Sequence, residues 1–263
     1  MLIVCNGMYR AGSTLQYNLV SSLVTETRQS EIIGWIWPEK LKDMAADLQQ
    51  WADADQIYVV KTHMIPPDIE PLLANGSAKI CYVYRDIRDV AVSVKRKFKK
   101  DDDELYALLD KATATYFTVK QMPGVIWQRY EAMMENLYGE VDKLAEELNL
   151  NASPQIIQRI AQQWGTEGTR QAIQQLQRKR QLKIKLRGAL RRLKLEKPAE
   201  TLIKQYQPDF SWDRIYDTKH LLHIDHIANT QKLVGNWQTE LTATEVDDIV
   251  ERYRDYLVDA HYL

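Results

Sequence analysis

Leu2-Ile3-Val4-Cys5-Asn6-Gly7-Met8-Tyr9-Arg10-Ala11-Gly12-Ser13-Thr14 opens the chain, and its reading decides the fold. The apolar run Leu2–Cys5 is strand-sized, and Asn6-Gly7 behind it is a turn signal. From about Ser13 onward, Leu15, Leu19, Ser22 and Leu23 keep helical spacing. The stretch predicts a strand, a loop and a helix. The free backbone N–H groups at such a helix start, together with the helix dipole, favour an anion. Gly12 permits close backbone approach, Ser13 and Thr14 add hydroxyl donors, and Arg10 adds a two-pronged cation. The loop differs from the phosphate loop of ATPases, which needs Gly-Lys followed by Ser or Thr. No Gly in this chain is followed by Lys. The competing reading is an ordinary turn capped by Ser13.

The same alternation continues outward from this unit. Gln56–Lys61 is β-rich and ends in Thr62-His63, Lys79–Tyr84 is a buried-type strand followed by Arg85-Asp86, and Gly124–Tyr130 reads as another strand. Helices are expected over Lys40–Trp51 with Pro38 near its start, before Asn75-Gly76, along Val90, Val94 and Phe98, over Asp103–Gln121 and over Glu135–Leu148. Ser153-Pro154 starts a further helical stretch that reaches about Leu195, and Thr242 with Glu245 forms a capping box for a last helix to about Leu257. Strands alternating with helices predict an α/β fold with a central, mostly parallel sheet flanked by helices, and a helical C-terminal half. A single domain over residues 1–263 is expected. Pro198–Asn236 resists assignment.

The 263 residues, 45% of them hydrophobic, suffice for a sizeable core, and a net charge of −1 gives no global basic field that would mark a nucleic-acid binder. No apolar run approaches the length of a bilayer span, and Met1–Cys5 has no signal-peptide character, so the expectation is a cytoplasmic protein. Cys5 and Cys81 lie in apolar strands and read as small buried hydrophobes. His220, His223 and His226 are three apart and would share a helix face. That makes a metal set conceivable, with structural or acceptor-site histidines as the competing reading.

In parallel sheets, ligands sit outside the carboxyl ends of the strands. Lys61, His63 and Arg85 fall there, together with Arg10–Thr14. A neutral His can take a proton from a hydroxyl near pH 7, and a neighbouring Lys can stabilise charge on a leaving oxygen. Arg85 at a strand end and Ser93 on the following helix would hold one phosphate from two elements. The alternative is that Arg85, Asp86, Arg88 and Asp89 form a surface ion-pair cluster.

Taken together, Tyr9–Thr14, Lys61-Thr62-His63 and Arg85 through Ser93 resemble, in order and spacing, the sulfotransferases that use 3′-phosphoadenosine 5′-phosphosulfate (PAPS). Tyr130-Glu131 is similar to that family's Tyr-Glu-Asp strand, and Gly235-Asn236-Trp237 to its Gly-Asp-Trp. The resemblance implies a P-loop-nucleotide-kinase-like domain. It would make Arg10, Ala11, Gly12, Ser13 and Thr14 the 5′-phosphosulfate site, and Arg85 and Ser93 the 3′-phosphate site. Tyr130, and Trp164 by stacking, would contact adenine. His63 would act as base, with Lys61 and Arg10 stabilising the transferring group. PAPS would be the co-substrate and 3′-phosphoadenosine 5′-phosphate (PAP) the product, with no metal, and the acceptor a small molecule, sugar or lipid. The sequence departs from the family pattern at Arg10, where Lys is common, and at Ile87 and Ala132, which stand for Pro and Asp. Thr230-Gln231-Lys232 replaces a basic Arg-Lys-Gly, leaving Lys232 as the one candidate there for the 3′-phosphate. A nucleotide or small-molecule kinase and a non-catalytic nucleotide-binding module are the other readings of the scaffold.

Two features fall outside the resemblance. Arg178–Lys197 holds ten Lys or Arg and one acid, Glu196, with Leu182, Leu186, Leu190 and Leu193 at helical spacing. It reads as a basic amphipathic helix interrupted at Gly188, within a helical insertion or lid over about residues 172–210. The leucines would cover the core, or the segment would close over the anionic ligand or touch a membrane surface. Trp35, Trp37, Trp51 and Trp212 are candidates for an acceptor pocket, with core packing as the alternative.

Overall fold

A computed structural model describes residues 1–98, 102–206, 212, 220–222 and 233–263. Five strands, β1 (Leu2–Gly7), β2 (Ser30–Trp35), β3 (Ile57–Lys61), β4 (Ala78–Tyr84) and β5 (Val125–Arg129), form one sheet in the order β2-β3-β1-β4-β5. All neighbouring pairs are parallel. Every residue of β1 is buried, as expected for a central strand covered on both faces.

The helices are α1 (Ser13–Thr27), α2 (Pro38–Leu41), α3 (Ala45–Asp53), α4 (Ile69–Ala74), α5 (Ile87–Phe98), α6 (Asp102–Lys120), α7 (Tyr130–Glu135), α8 (Leu137–Glu147), α9 (Pro154–Trp164), α10 (Thr166–Arg192), α11 (Glu196–Tyr206), α12 (Trp237–Glu240), α13 (Ala243–Arg252) and α14 (Arg254–Asp259). The chain divides into two compact units, residues 1–161 with 230–263 and residues 162–229. The sheet and its strand-end loops belong to the first. Among the described residues, no helix is long and apolar enough to cross a membrane.

Several boundaries differ from the sequence reading. β2 had no strand signal because Gly34 (φ 92) and a register shift between Ile32 and Gly34 break its alternation. The helix expected over Lys40–Trp51 is two helices, α2 and α3, interrupted at Lys42–Met44. Asn136 splits the helix expected over Glu135–Leu148. It ends α7 and caps α8, its side chain accepting from Gly139 N at 3.0 Å. The Thr242–Glu245 capping box is present as read, but the last helix breaks at Tyr253. α10 runs straight through Gly188, and the turn comes later, at Lys194 (φ 62). A single glycine costs a helix about 1 kcal/mol, too little to stop a helix of 27 residues.

The topology fixes where a ligand can sit. The chain leaves β1 toward β2 on one side of the sheet and leaves β4 toward β5 on the other. That divergence opens a crevice at the carboxyl ends of β1 and β4.

Candidate active site

The loop after β1 is shaped by two left-handed residues, Arg10 (φ 63) and Gly12 (φ 87). Gly12 is the N-cap of α1, and no side chain caps that helix. The ordinary Ser13-capped turn is therefore not what forms. The first N–H groups of α1 keep their donors for a ligand, as any helix N-terminus does without a cap. A Cβ on Gly12 would lie 2.7 Å from Cδ2 of Tyr130, so glycine is needed here for conformation and for space. Ala11 and Ser13 are buried in the loop and the first helical turn.

Arg10 reaches across the crevice. Its Nε donates to Ser93 Oγ on α5 at 2.9 Å. Arg85, directly after β4, donates from Nη1 to the Arg10 carbonyl at 3.2 Å and from Nη2 to Leu233 O at 2.8 Å and to Asp89 Oδ2 at 3.2 Å. Its guanidinium carbon stands 4.2 Å over the Tyr130 ring. Arg85 Nε is buried and makes no hydrogen bond among the described residues. Arg85, Asp86, Arg88 and Asp89 are all at most 7% exposed, which excludes a solvated surface cluster.

Asp89 is the member the sequence reading undervalued. Its carboxylate accepts from Arg85, from Gly235 N at 2.8 Å and from Trp237 N at 3.1 Å. It fastens the Gly235-Asn236-Trp237 segment to the start of α5. The i, i+4 spacing from Arg85 was a signal for the ion pair, but nothing local pointed to partners nearly 150 residues away. Asp86 pairs with Arg88 at 2.8 Å, and Arg88 lies 3.9 Å over the Trp237 ring. These two residues hold the framework rather than face the crevice.

On the other side of β1, Lys61 ends β3 almost fully buried, and its Nζ donates to Thr14 Oγ1 at 2.7 Å. Burial pushes its pKa down to about 8. Burial, then the positive charge of Arg85, lowers Arg10 as well. No carboxylate pairs with Arg10 or Lys61 among the described residues. Buried cations without counter-charges are costly unless an anion joins them.

His63 stands two residues beyond Lys61. Its Nδ1 lies 3.0 Å from the Gly7 carbonyl. A carbonyl only accepts, so Nδ1 carries the hydrogen and Nε2 keeps a lone pair. Burial, then Lys61, pushes the His63 pKa down to about 4, so the ring is neutral at pH 7. Tyr9 stacks on it at 4.7 Å between ring centres, and Trp35 meets it edge-on at 5.2 Å. Trp37, 65% exposed, continues the row 5.7 Å from Trp35. Tyr9 went unnoticed in the sequence as an aromatic partner of His63. Trp51 instead stacks on Tyr58, and Trp212 is buried.

The structure thus brings Arg10, Ala11, Gly12, Ser13, Thr14, Lys61, His63, Arg85, Ser93 and Tyr130 to one end of the sheet. Trp164 belongs to the second unit, where its ring lies 5.2 Å from His220. Lys232, His223 and His226 lie outside the described residues.

The fold and the strand-end cations define an anion-binding α/β protein. Solved structures of the same fold include a mouse sulfotransferase, SULT7A1, complexed with PAP, at TM-score 0.59 and 12% identity over 98% of this chain and 83% of that one. Another is a retinol dehydratase with androsterone and the inactive cofactor PAP, at TM-score 0.55 and 17% identity over 97% and 80%. No curated protein matches the sequence. The model of the sulfotransferase domain matches residues 3–196. The chain belongs to the sulfotransferase family.

Proposed function

We propose that the chain moves a sulfuryl group from PAPS to an acceptor hydroxyl by in-line displacement. One observation carries this reading: half-buried Arg10 and buried Lys61 and Arg85 converge beside the uncapped N-terminus of α1, Arg10 and Lys61 without a carboxylate partner among the described residues. Such a cluster fits a donor with two separated anionic groups, and PAP occupies solved structures of the same fold. Bound PAPS would supply an activated sulfuryl group on a good leaving phosphate.

The chain's residues then divide the work. The α1 N-terminus with Gly12, Ser13 and Thr14 seats the 5′-phosphosulfate, and Arg85 with Ser93 seats the 3′-phosphate. Tyr130, held by Arg85, offers its ring to the base. His63 Nε2 takes the acceptor's proton as the new O–S bond forms, while the Gly7 carbonyl holds the ring in the required tautomer. Lys61 and Arg10 receive the charge that appears on the phosphate oxygen as the old S–O bond breaks. Positioning and fixed charge do most of the catalysis. An acceptor reaching Nε2 passes Tyr9, Trp35 and Trp37, which suits a ring-bearing small molecule, sugar or lipid.

The test is calorimetry with PAP followed by an acceptor screen with labelled PAPS. Transfer by the native chain and its loss in His63→Ala, with PAP affinity retained, are expected. Magnesium-dependent phosphorylation from ATP without any transfer from PAPS would overturn the reading.

A further inference from the structure

The second unit carries a helical pair whose polarity is reversed. α10 and α11 are tied by Glu196, which accepts from Arg187 Nε and Arg191 Nε at 2.5 Å each. Arg187 and Arg191 are four apart and share a face of α10, and both reach Glu196, the first residue of α11. Leu182, Leu186, Ala189 and Leu193 recur at i, i+4, i+7 and i+11, on the opposite face. Leu182 and Leu193 are each 66% exposed and Leu186 51%. Leu195 just before α11, and Leu202 and Tyr206 on it, are exposed as well. A soluble helical pair normally buries its leucines and turns its charges to water. The reading of these leucines as core cover does not hold for Leu182, Leu186 and Leu193.

Charge decides what would cover the stripe. Residues 178–197 hold ten cations and one acid, a balance of +9. The whole chain is −1, so the remaining residues sum to −10. The one acid is already shared by two arginines. Arg178, Lys179, Lys185 and Arg192 are exposed along the flanks of the leucine stripe. A second copy of this chain would set +9 against +9, which disfavours self-association through this face. A flat anionic surface with an apolar interior satisfies both the flanks and the stripe.

We propose that α10 and α11 form a docking surface for anionic phospholipid bilayers, with Leu182, Leu186 and Leu193 inserted below the headgroups and the flanking Lys and Arg at headgroup level. The helix lies on the membrane rather than through it, since no helix among the described residues has the length and apolarity to cross. This inference is independent of sulfuryl transfer, because it concerns a surface built without the strand-end residues.

The experiment is sedimentation of the full chain with vesicles of phosphatidylcholine alone and of phosphatidylcholine mixed with phosphatidylserine. Binding is expected to the anionic vesicles only, and to fall at least about tenfold near half-molar salt. The variant Leu182→Ser/Leu186→Ser/Leu193→Ser should weaken it at least about tenfold. Arg178→Gln/Lys179→Gln/Lys185→Gln/Arg192→Gln should do the same. PAP affinity, read at the strand-end residues, checks that both variants are folded. Absence of native binding to anionic vesicles overturns the proposal. So does binding that the serine variant leaves unchanged, or a leucine-dependent dimer without vesicle binding.

Discussion

Arg10 Nε donates to Ser93 Oγ across 2.9 Å, joining residues 83 apart in sequence. The sequence assigns these residues to different anion sites, one after β1 and one on α5. In the structure the two sites share a hydrogen bond, and Arg85 adds a second link by donating to the Arg10 carbonyl. On the proposed assignment of the two sites, seating one end of a donor would position the group that holds the other end.

Ser93→Ala tests that coupling. Arg10 loses its fixed partner, and a neighbouring phosphate loses a hydroxyl donor. PAP affinity measured by calorimetry should fall about 5- to 30-fold, the size of one or two hydrogen bonds to charged groups. Thermal stability should change little, since Ser93 is only half-buried. Unchanged affinity would mean that Ser93 touches neither Arg10 nor the donor when the site is filled.

Gly12→Ala strikes the loop from two directions. The residue sits at φ 87, and the added methyl would lie 2.7 Å from the Tyr130 ring, which also packs against Arg85. A left-handed alanine costs about 1 kcal/mol before any clash. The expected outcome is a stability loss of about 1–3 kcal/mol in denaturant melts and a larger proportional loss of PAP binding. A variant that binds PAP normally would show that Tyr130 is free to move away from the loop.

What the sequence disclosed, and what it hid, follows from range. The strand-end residues Arg10, Lys61, His63 and Arg85 were legible because each ends or follows a short apolar run, and parallel sheets put their functional groups there. β2 was hidden because its glycine and register shift erase alternation at a half-exposed edge. The burial of Arg85, Asp86, Arg88 and Asp89 was hidden because the covering residues come from the C-terminal segment, around Trp237 and Tyr262. Charged runs look solvated until a distant element lands on them. Leu182, Leu186 and Leu193 show the converse, since their spacing announced an apolar face but not what the face would meet.

Asp89→Asn removes the charge that gathers Arg85, Gly235 and Trp237. An amide keeps one acceptor and leaves the buried Arg85 without its counter-charge. Breaking one partner of a buried pair costs about 3 kcal/mol or more. The melt should shift accordingly, and PAP, by supplying an anion to Arg85, should recover part of the loss. A variant with native stability would show that Asp89 is not what fastens Gly235–Trp237.

The pH profile of kcat/KM reports the free enzyme, where His63 is pushed down to about 4 and Lys61 to about 8. The base must be unprotonated and the lysine charged. Activity should therefore hold between these values, fall as acid protonates His63, and fall as alkali discharges Lys61. With PAPS bound, negative charge beside both groups raises both pKa values, so the kcat profile should be displaced to higher pH than that of kcat/KM. An acid limb near the ordinary histidine value in kcat/KM would show that the ring is solvated in the free enzyme.

Lys61→Met separates stability from catalysis. The lysine pKa lies at about 8 when folded against 10.5 in the ordinary state, so folding disfavours its proton. Stability on this account rises with pH between about 8 and 10.5, and the full cost is present below 8. That shift bounds the cost at roughly 3 kcal/mol, and the bond to Thr14 offsets part of whatever burial takes. Methionine fills the same space without charge. The variant should lose sulfuryl transfer yet gain on the order of 1–3 kcal/mol at pH 7, a gain that shrinks as pH rises past 8. If it instead melts earlier than the native chain at pH 7, Lys61 is not held at a cost, and the argument that its buried charge awaits an anion fails with it.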